Sequence, residues 1–282
     1  MLNYEAFCAV ITGRIKDHLP GEFRDHEPTI RAVRKINGEK DGFCLEPPEQ
    51  EEFVPLPVLY LDDVYQDYLT DEDIDRVLEC MAEVITANTG RQLPDELKGD
   101  YSAFRDCVVV NLISGQLNER LLDEVPHRKI LDMAAVYRVI FRWDEAGVNS
   151  FIVSNEMMED MGVTEEELFD LARTNSRRMF PARVIEGKDS VVVMTNESGM
   201  NGASTMLYER EMRDLSRRMG GDFYILPSSV HEFFAVPVHA ASPEYLKKLL
   251  EQGNGTVTDY QEILSSSIYR YSEERGTLKQ CD

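Results

Sequence analysis

An α+β fold, with antiparallel or mixed sheets built from hairpins and packed with amphipathic helices, is the class this sequence predicts. Three observations predict it. Apolar residues recur at three- and four-residue spacing in several segments, the pattern of helices with one buried face. Short runs rich in β-branched and aromatic residues come in pairs around turn residues. Hairpins and helices then alternate along the chain, which points to largely antiparallel sheets and leaves a mixed sheet open.

The first element, Asn3–Leu19, carries Phe7, Val10, Ile11, Ile15 and Leu19 on one helical face and is stopped by Pro20-Gly21. Thr29–Ile36 and Phe43–Glu46 flank Asn37-Gly38, a turn signal that makes them a hairpin. Phe53–Leu61 reads as extended, with Pro55 and Pro57 confining its first half to an edge because proline cannot donate to a ladder. A short helix over Asp62–Tyr68 follows. A longer one opens at Thr70, with Glu72 and Asp73 in its first turn, and runs through Ile74, Val77, Leu78, Met81, Val84 and Ile85 to about Asn88-Thr89-Gly90. The polar stretch Thr89–Ser102 is the best boundary, dividing residues 1–100 from 101–282, although one continuous domain also fits.

Beyond it, Arg105–Ile113 reads as a valine-rich strand, Asn118–Val125 as a short helix and Ile130–Arg142 as one long strand, with Asn149–Ser154 pairing back after a turn at Trp143–Gly147. Thr164 and Glu167 have the spacing of a capping box ahead of Leu168, Phe169, Leu171 and Ala172. A strand over Ser190–Thr195, a turn at Asn196–Gly199 and the segment Gly202–Tyr208 lead to an amphipathic helix, Glu209–Met219, stopped by Gly220-Gly221. Two apolar runs, Phe223–Leu226 and Phe233–Val236, then read as central strands joined through Pro-Ser-Ser-Val-His-Glu. Glu209–Met219 is expected to cover the sheet, Phe234 to be buried in it, Pro243–Gln252 to form a last helix, and Ser267–Tyr271 a last strand.

Composition narrows the function. Lys plus Arg number 30 against 52 Asp plus Glu, a net charge of −22, so a phosphate backbone is repelled and nucleic acid is not expected as a partner. No apolar run approaches the ~18–20 residues that span a bilayer, and the N-terminus shows no basic region ahead of an apolar segment, so neither membrane insertion nor secretion is expected. Five scattered cysteines, Cys8, Cys44, Cys80, Cys107 and Cys281, contain no C-x-x-C pair and fit reduced thiols in the cytoplasm. The five histidines make no H-E-x-x-H or H-x-H arrangement, and the glycines make neither a dinucleotide fingerprint nor a P-loop, so no metal and no cofactor are expected.

The one cluster with catalytic residue types is Ser228, Ser229, His231 and Glu232. In an extended segment residues two apart share a face, so Ser229 and His231 can meet while Glu232 points away, and no G-x-S-x-G elbow exposes either serine. The favoured reading makes the serines turn-formers and His231 a structural side chain bonded to a neighbouring carbonyl or carboxylate; a hydrolase using Ser229 and His231 is the alternative. His127 and Arg128, between a helix and a strand, join His231 as polar positions for interaction or structure, with a ring nitrogen of His127 capping a carbonyl.

Three segments, Leu121–Tyr137, Met161–Asn175 and Ile225–Glu232, together resemble a bacterial family catalogued as a domain of unknown function, DUF5688, over most of the chain from about Thr29 onward. The C-terminal half, from the capped helix through Asn201–Tyr208 to Val236, is also distantly similar to a second bacterial family, DUF1444. Neither resemblance implies a reaction, a cofactor or a catalytic residue. The expectation is therefore a non-catalytic cytoplasmic binding or regulatory protein, a protein partner being the class left open.

Overall fold

The computed structural model divides into two compact units, Met1–Gly99 and Asp100–Asp282. It describes residues 1–48, 58–88, 101–144, 147–188, 190–256 and 260–281, without the side chains of 142–149.

In the first unit, α1 (Tyr4–Arg14) begins at Asn3, whose side chain accepts the N–H of Ala6 at 2.8 Å. The helical segment then tightens into a 3-10 turn, Ile15–His18, so the regular helix is shorter than its apolar pattern. Strands β1 (Glu27–Lys35) and β2 (Gly38–Glu46) pair with Lys35 opposite Gly38. The loop is thus Ile36–Asn37, one residue ahead of the expected Asn37-Gly38, because Asn37 takes the left-handed conformation at φ 62° and frees Gly38 for the ladder. β3 (Leu59–Tyr60) adds to β2; the expected extended run from Phe53 to Pro57 lies outside the described residues.

Helices α2 (Leu61–Asp71) and α3 (Ile74–Asn88) follow. Glu72, left-handed at φ 54°, closes α2, and Asp73 accepts the N–H of Arg76 at 3.1 Å, so the second helix starts after Asp73 and not at Thr70. Phe7 and Ile11 of α1, Phe43 of β2, Leu61 of α2, and Leu78 and Met81 of α3 join in one apolar core. The expected boundary stretch falls almost wholly outside the described residues.

The second unit holds two antiparallel sheets. The first comprises β4 (Val108–Ser114), β5 (His127–Ile130), β6 (Met133–Asp144) and β7 (Gly147–Ile152), in the order β4-β6-β5 with β7 also on β6; α4 (Glu119–Leu122) precedes β5. The expected single strand from Ile130 is instead a hairpin, with Ile130 opposite Met133. Leu131 turns the chain at φ 60°, a conformation that costs a bulky residue energy and that leucine does not advertise.

After α5 (Asn155–Asp160), α6 (Glu165–Met179) starts with the capping box complete: Glu167 N–H reaches Thr164 Oγ1 at 3.3 Å and Thr164 N–H reaches Glu167 Oε2 at 2.8 Å. Side chains of α6 and of the 3-10 segment Gly202–Leu207 seal the outer edge of β4. Val110 donates its N–H to Ser176 Oγ at 2.8 Å, Asn175 donates to the carbonyl of Val108 at 3.0 Å, and Leu112 donates to Ser204 Oγ at 3.0 Å. Every residue of β4 is buried, so each of these groups would otherwise be an unpaired polar atom away from water.

The second sheet comprises β8 (Ala182–Glu186), β9 (Val192–Asn196), β10 (Phe223–Leu226), β11 (Phe233–Pro237), β12 (Tyr269–Ser272) and β13 (Thr277–Gln280), ordered β13-β12-β10-β11-β9-β8. All described strand pairings are antiparallel, which removes the mixed-sheet option. Helix α7 (Glu209–Met219), closed by Gly220 at φ 78°, precedes β10, and α8 (Pro243–Thr256) follows β11.

β10 and β11 are the central pair. Phe223, Ile225, Phe233 and Ala235 are fully buried on one face. Tyr224, Leu226 and Val236 on the other face meet Leu246 and Leu250 of α8, with Phe234 partly buried beside them. Cover on both faces explains why the two strands read as unbroken apolar runs. It is α8 that packs on this face, and Phe234 is less buried than the sequence pattern suggests because α8 leaves a gap over it.

Candidate functional site

The gap is a groove of about 660 Å³ between α8 and the β10–β11 pair. Antiparallel register places Leu226 opposite Phe234, and these form its floor; Tyr245 and Leu249, one helical turn apart on α8, form a wall. Those two are exposed apolar side chains, at 57% and 43%. Beyond the end of β10 the lining turns polar with Ser228, Ser229, Glu232, Asn254 and Glu262.

The loop that carries three of these groups is held by its own hydrogen bonds. Ser229 Oγ accepts the backbone N–H of His231 at 3.0 Å, and Ser228 Oγ donates toward the Glu232 carbonyl at 3.3 Å. The imidazole of His231 is engaged at both nitrogens. Asn201 donates its backbone N–H to Nδ1 at 3.1 Å, so the neutral ring carries its proton on Nε2, which faces Glu262 Oε1 at 3.3 Å. The backbone around it is equally fixed: Thr195 Oγ1 donates to the His231 carbonyl at 2.7 Å. Gly202 lies so close that a Cβ there would stand 2.4 Å from the same carbonyl oxygen and 2.7 Å from Asn196 N.

The structure thus brings Ser228, Ser229 and Glu232 together on one groove, with His231 behind Glu262. Ser229 meets His231 through the histidine's main chain. A Ser–His nucleophile needs the hydroxyl on a basic ring nitrogen, and here the bare nitrogen is occupied by Asn201 while the other carries hydrogen toward a carboxylate.

His127 and Arg128 lie elsewhere. His127 is exposed on β5, its Nδ1 donating to the Val125 carbonyl at 3.1 Å. Arg128 grips the Glu165 carboxylate with Nε at 3.2 Å and Nη2 at 2.8 Å, lies 4.2 Å over the Phe169 ring, and shares that carboxylate with the Tyr137 hydroxyl. Burial, reinforced by the bond to Glu165, pushes the Tyr137 hydroxyl far above the usual tyrosine range, while the same carboxylate holds the guanidinium pKa up. This constellation pins the start of α6 to β5 and β6.

A second polar knot was not foreseen from the sequence. Asp132, at the β5–β6 turn, accepts Ser265 Oγ at 2.8 Å and the Tyr269 hydroxyl, and that hydroxyl also lies 2.7 Å from Ser265 Oγ. It ties the two sheets of the unit together. Glu262, Tyr245 and Leu249 also escaped sequence reasoning. Glu262 is brought in by the fold alone, whereas Tyr245 and Leu249 beside Leu246 and Leu250 make an apolar stripe wider than one buried face requires, a signal present in the sequence.

No group of three or more His, Cys, Asp or Glu side chains that could hold a metal ion occurs among the described residues, and no described helix is long and apolar enough to cross a membrane. Fold and site together define an α+β protein whose second unit carries an apolar groove with an acidic end. The chain belongs to the family of unknown function DUF5688, which matches residues 4–186 and 183–273. No curated protein and no solved structure matches it.

Proposed function

We propose that the chain is a non-catalytic binding protein of the cytoplasm whose ligand lies in the groove between α8 and the β10–β11 pair. The observation that carries this reading is the groove itself: about 660 Å³ falls inside the roughly 300–1,000 Å³ range of ligand pockets, and Tyr245 and Leu249 keep apolar surface exposed along it. The commitment of Ser229 and His231 to backbone and carboxylate partners supports binding over hydrolysis. Five free cysteines support a reducing compartment, and the charge of −22 supports a ligand other than nucleic acid.

Fluorescence titration with N-phenyl-1-naphthylamine, a neutral apolar dye, tests this. Saturable binding that Leu249→Asp removes without lowering the unfolding midpoint is the expected result. Equal dye binding by the two proteins, or ester hydrolysis that Ser229→Ala abolishes, would replace this reading with another.

A further inference from the structure

Taking that groove as the binding site, we infer that its ligand is an amphipathic cation: one ammonium-type head on an apolar body. Glu232 and Glu262 are the charged side chains among the residues lining it. Among the described residues neither carboxylate meets a lysine or an arginine; that of Glu262 meets the Nε2–H of His231, and that of Glu232 accepts Ser228 Oγ at 3.4 Å. Several arginines elsewhere in this second unit pair with acids, as Arg173 does with Glu209 and Arg177 with Glu211. The carboxylates at the groove's end are therefore negative charge that no lysine or arginine among the described residues neutralises, His231 being the one titratable neighbour of Glu262.

The scaffold adds to that sign. Gly253 and Asn254, in the last turn of the fourteen-residue α8, line the same end of the groove, and a helix C-terminus carries the negative end of its dipole. An anionic head would meet two carboxylates and the negative end of this helix with no lysine or arginine in the lining to offset them. A neutral ligand would bury its body against Leu226, Phe234, Tyr245 and Leu249 but leave the carboxylates uncompensated. A cation satisfies both halves of the groove, and hydrocarbon against the apolar floor supplies the bulk of the affinity.

Displacement of bound N-phenyl-1-naphthylamine by three ten-carbon amphiphiles tests the inference on the full chain: decyltrimethylammonium, decanol and decanoate. The cation should displace the dye at a concentration about tenfold lower than decanol, with decanoate weakest. In the Glu232→Gln, Glu262→Gln double variant that preference should shrink to about threefold or less while decanol is unchanged, since amides keep the shape and the hydrogen bonds and lose the charge. Equal displacement by all three, or tighter decanoate, overturns the charge assignment and leaves the groove standing. Failure of the dye to bind at all overturns both readings.

Discussion

Asn201 donates its backbone N–H to Nδ1 of His231 across 3.1 Å, and this one contact determines which ring nitrogen bears the proton. Asn201 itself stands in the left-handed conformation, φ 52°, which aims the N–H at the ring. Nitrogen-15 shifts of the imidazole should report the Nε2–H tautomer at neutral pH; an Nδ1–H tautomer would break the assignment. His231→Phe leaves that part-buried N–H without its acceptor and should cost roughly 1–3 kcal/mol in denaturant unfolding.

Phe233 and Phe234 are neighbours with different burdens. Phe233 is fully buried between the layers, so Phe233→Ala opens a cavity and should cost about 3–5 kcal/mol. Phe234 lines the groove, so Phe234→Ala should cost clearly less and should weaken dye binding. Equal losses of stability in the two variants would contradict the placement of the groove.

The edge of β4 depends on two hydroxyls. Ser176→Ala strands the buried N–H of Val110, and Ser204→Ala that of Leu112, each at roughly 1–3 kcal/mol. Hydrogen exchange at those amides should accelerate in the matching variant and not in the other.

The α6 cap gives a smaller effect. Thr164→Ala should cost about 0.5–2 kcal/mol through the lost N-cap bond. An unchanged unfolding midpoint would show that the cap contributes nothing.

Acid sensitivity follows from Asp222, just ahead of β10. Its Oδ1 accepts the N–H of Glu273 at 2.9 Å and its Oδ2 the Nε of Arg270 at 2.9 Å; the backbone bond first, then the arginine, holds its carboxyl below the usual range. A depressed carboxylate contributes stability above its unfolded pKa of about 3.9 and loses it as pH falls through the lower folded value. Asp222→Asn should therefore be less stable near neutrality and should flatten the stability profile below about pH 4. An unaltered slope in that window would contradict the sign.

Much of the fold is legible where one physical signal dominates. Thr164 and Glu167 announce their helix through spacing alone, and the runs Phe223–Leu226 and Phe233–Val236 announce strands covered on both faces because nothing polar interrupts them. Other elements lack such a signal. The β5–β6 turn rests on Leu131, whose side chain disfavours the conformation it adopts, and its support from Asp132, Ser265 and Tyr269 spans more than 130 positions along the chain. β8 and β13 are short, largely exposed edge strands with no apolar alternation to mark them. The candidate site divides the same way. Ser228, Ser229, His231 and Glu232 stand together in sequence, but Glu262 arrives 30 residues after Glu232, and the main-chain donor that sets the imidazole has no side-chain identity to read.

The sealed edge of β4 also has a kinetic side. Its hydroxyls come from positions 66 and 92 residues away in sequence, so the strand can pair with β6 well before either serine arrives. During that interval Val110 and Leu112 offer open amides on an apolar strand, a template for a strand of another chain. Refolding yield should therefore fall with protein concentration, and should fall further when α6 docks late.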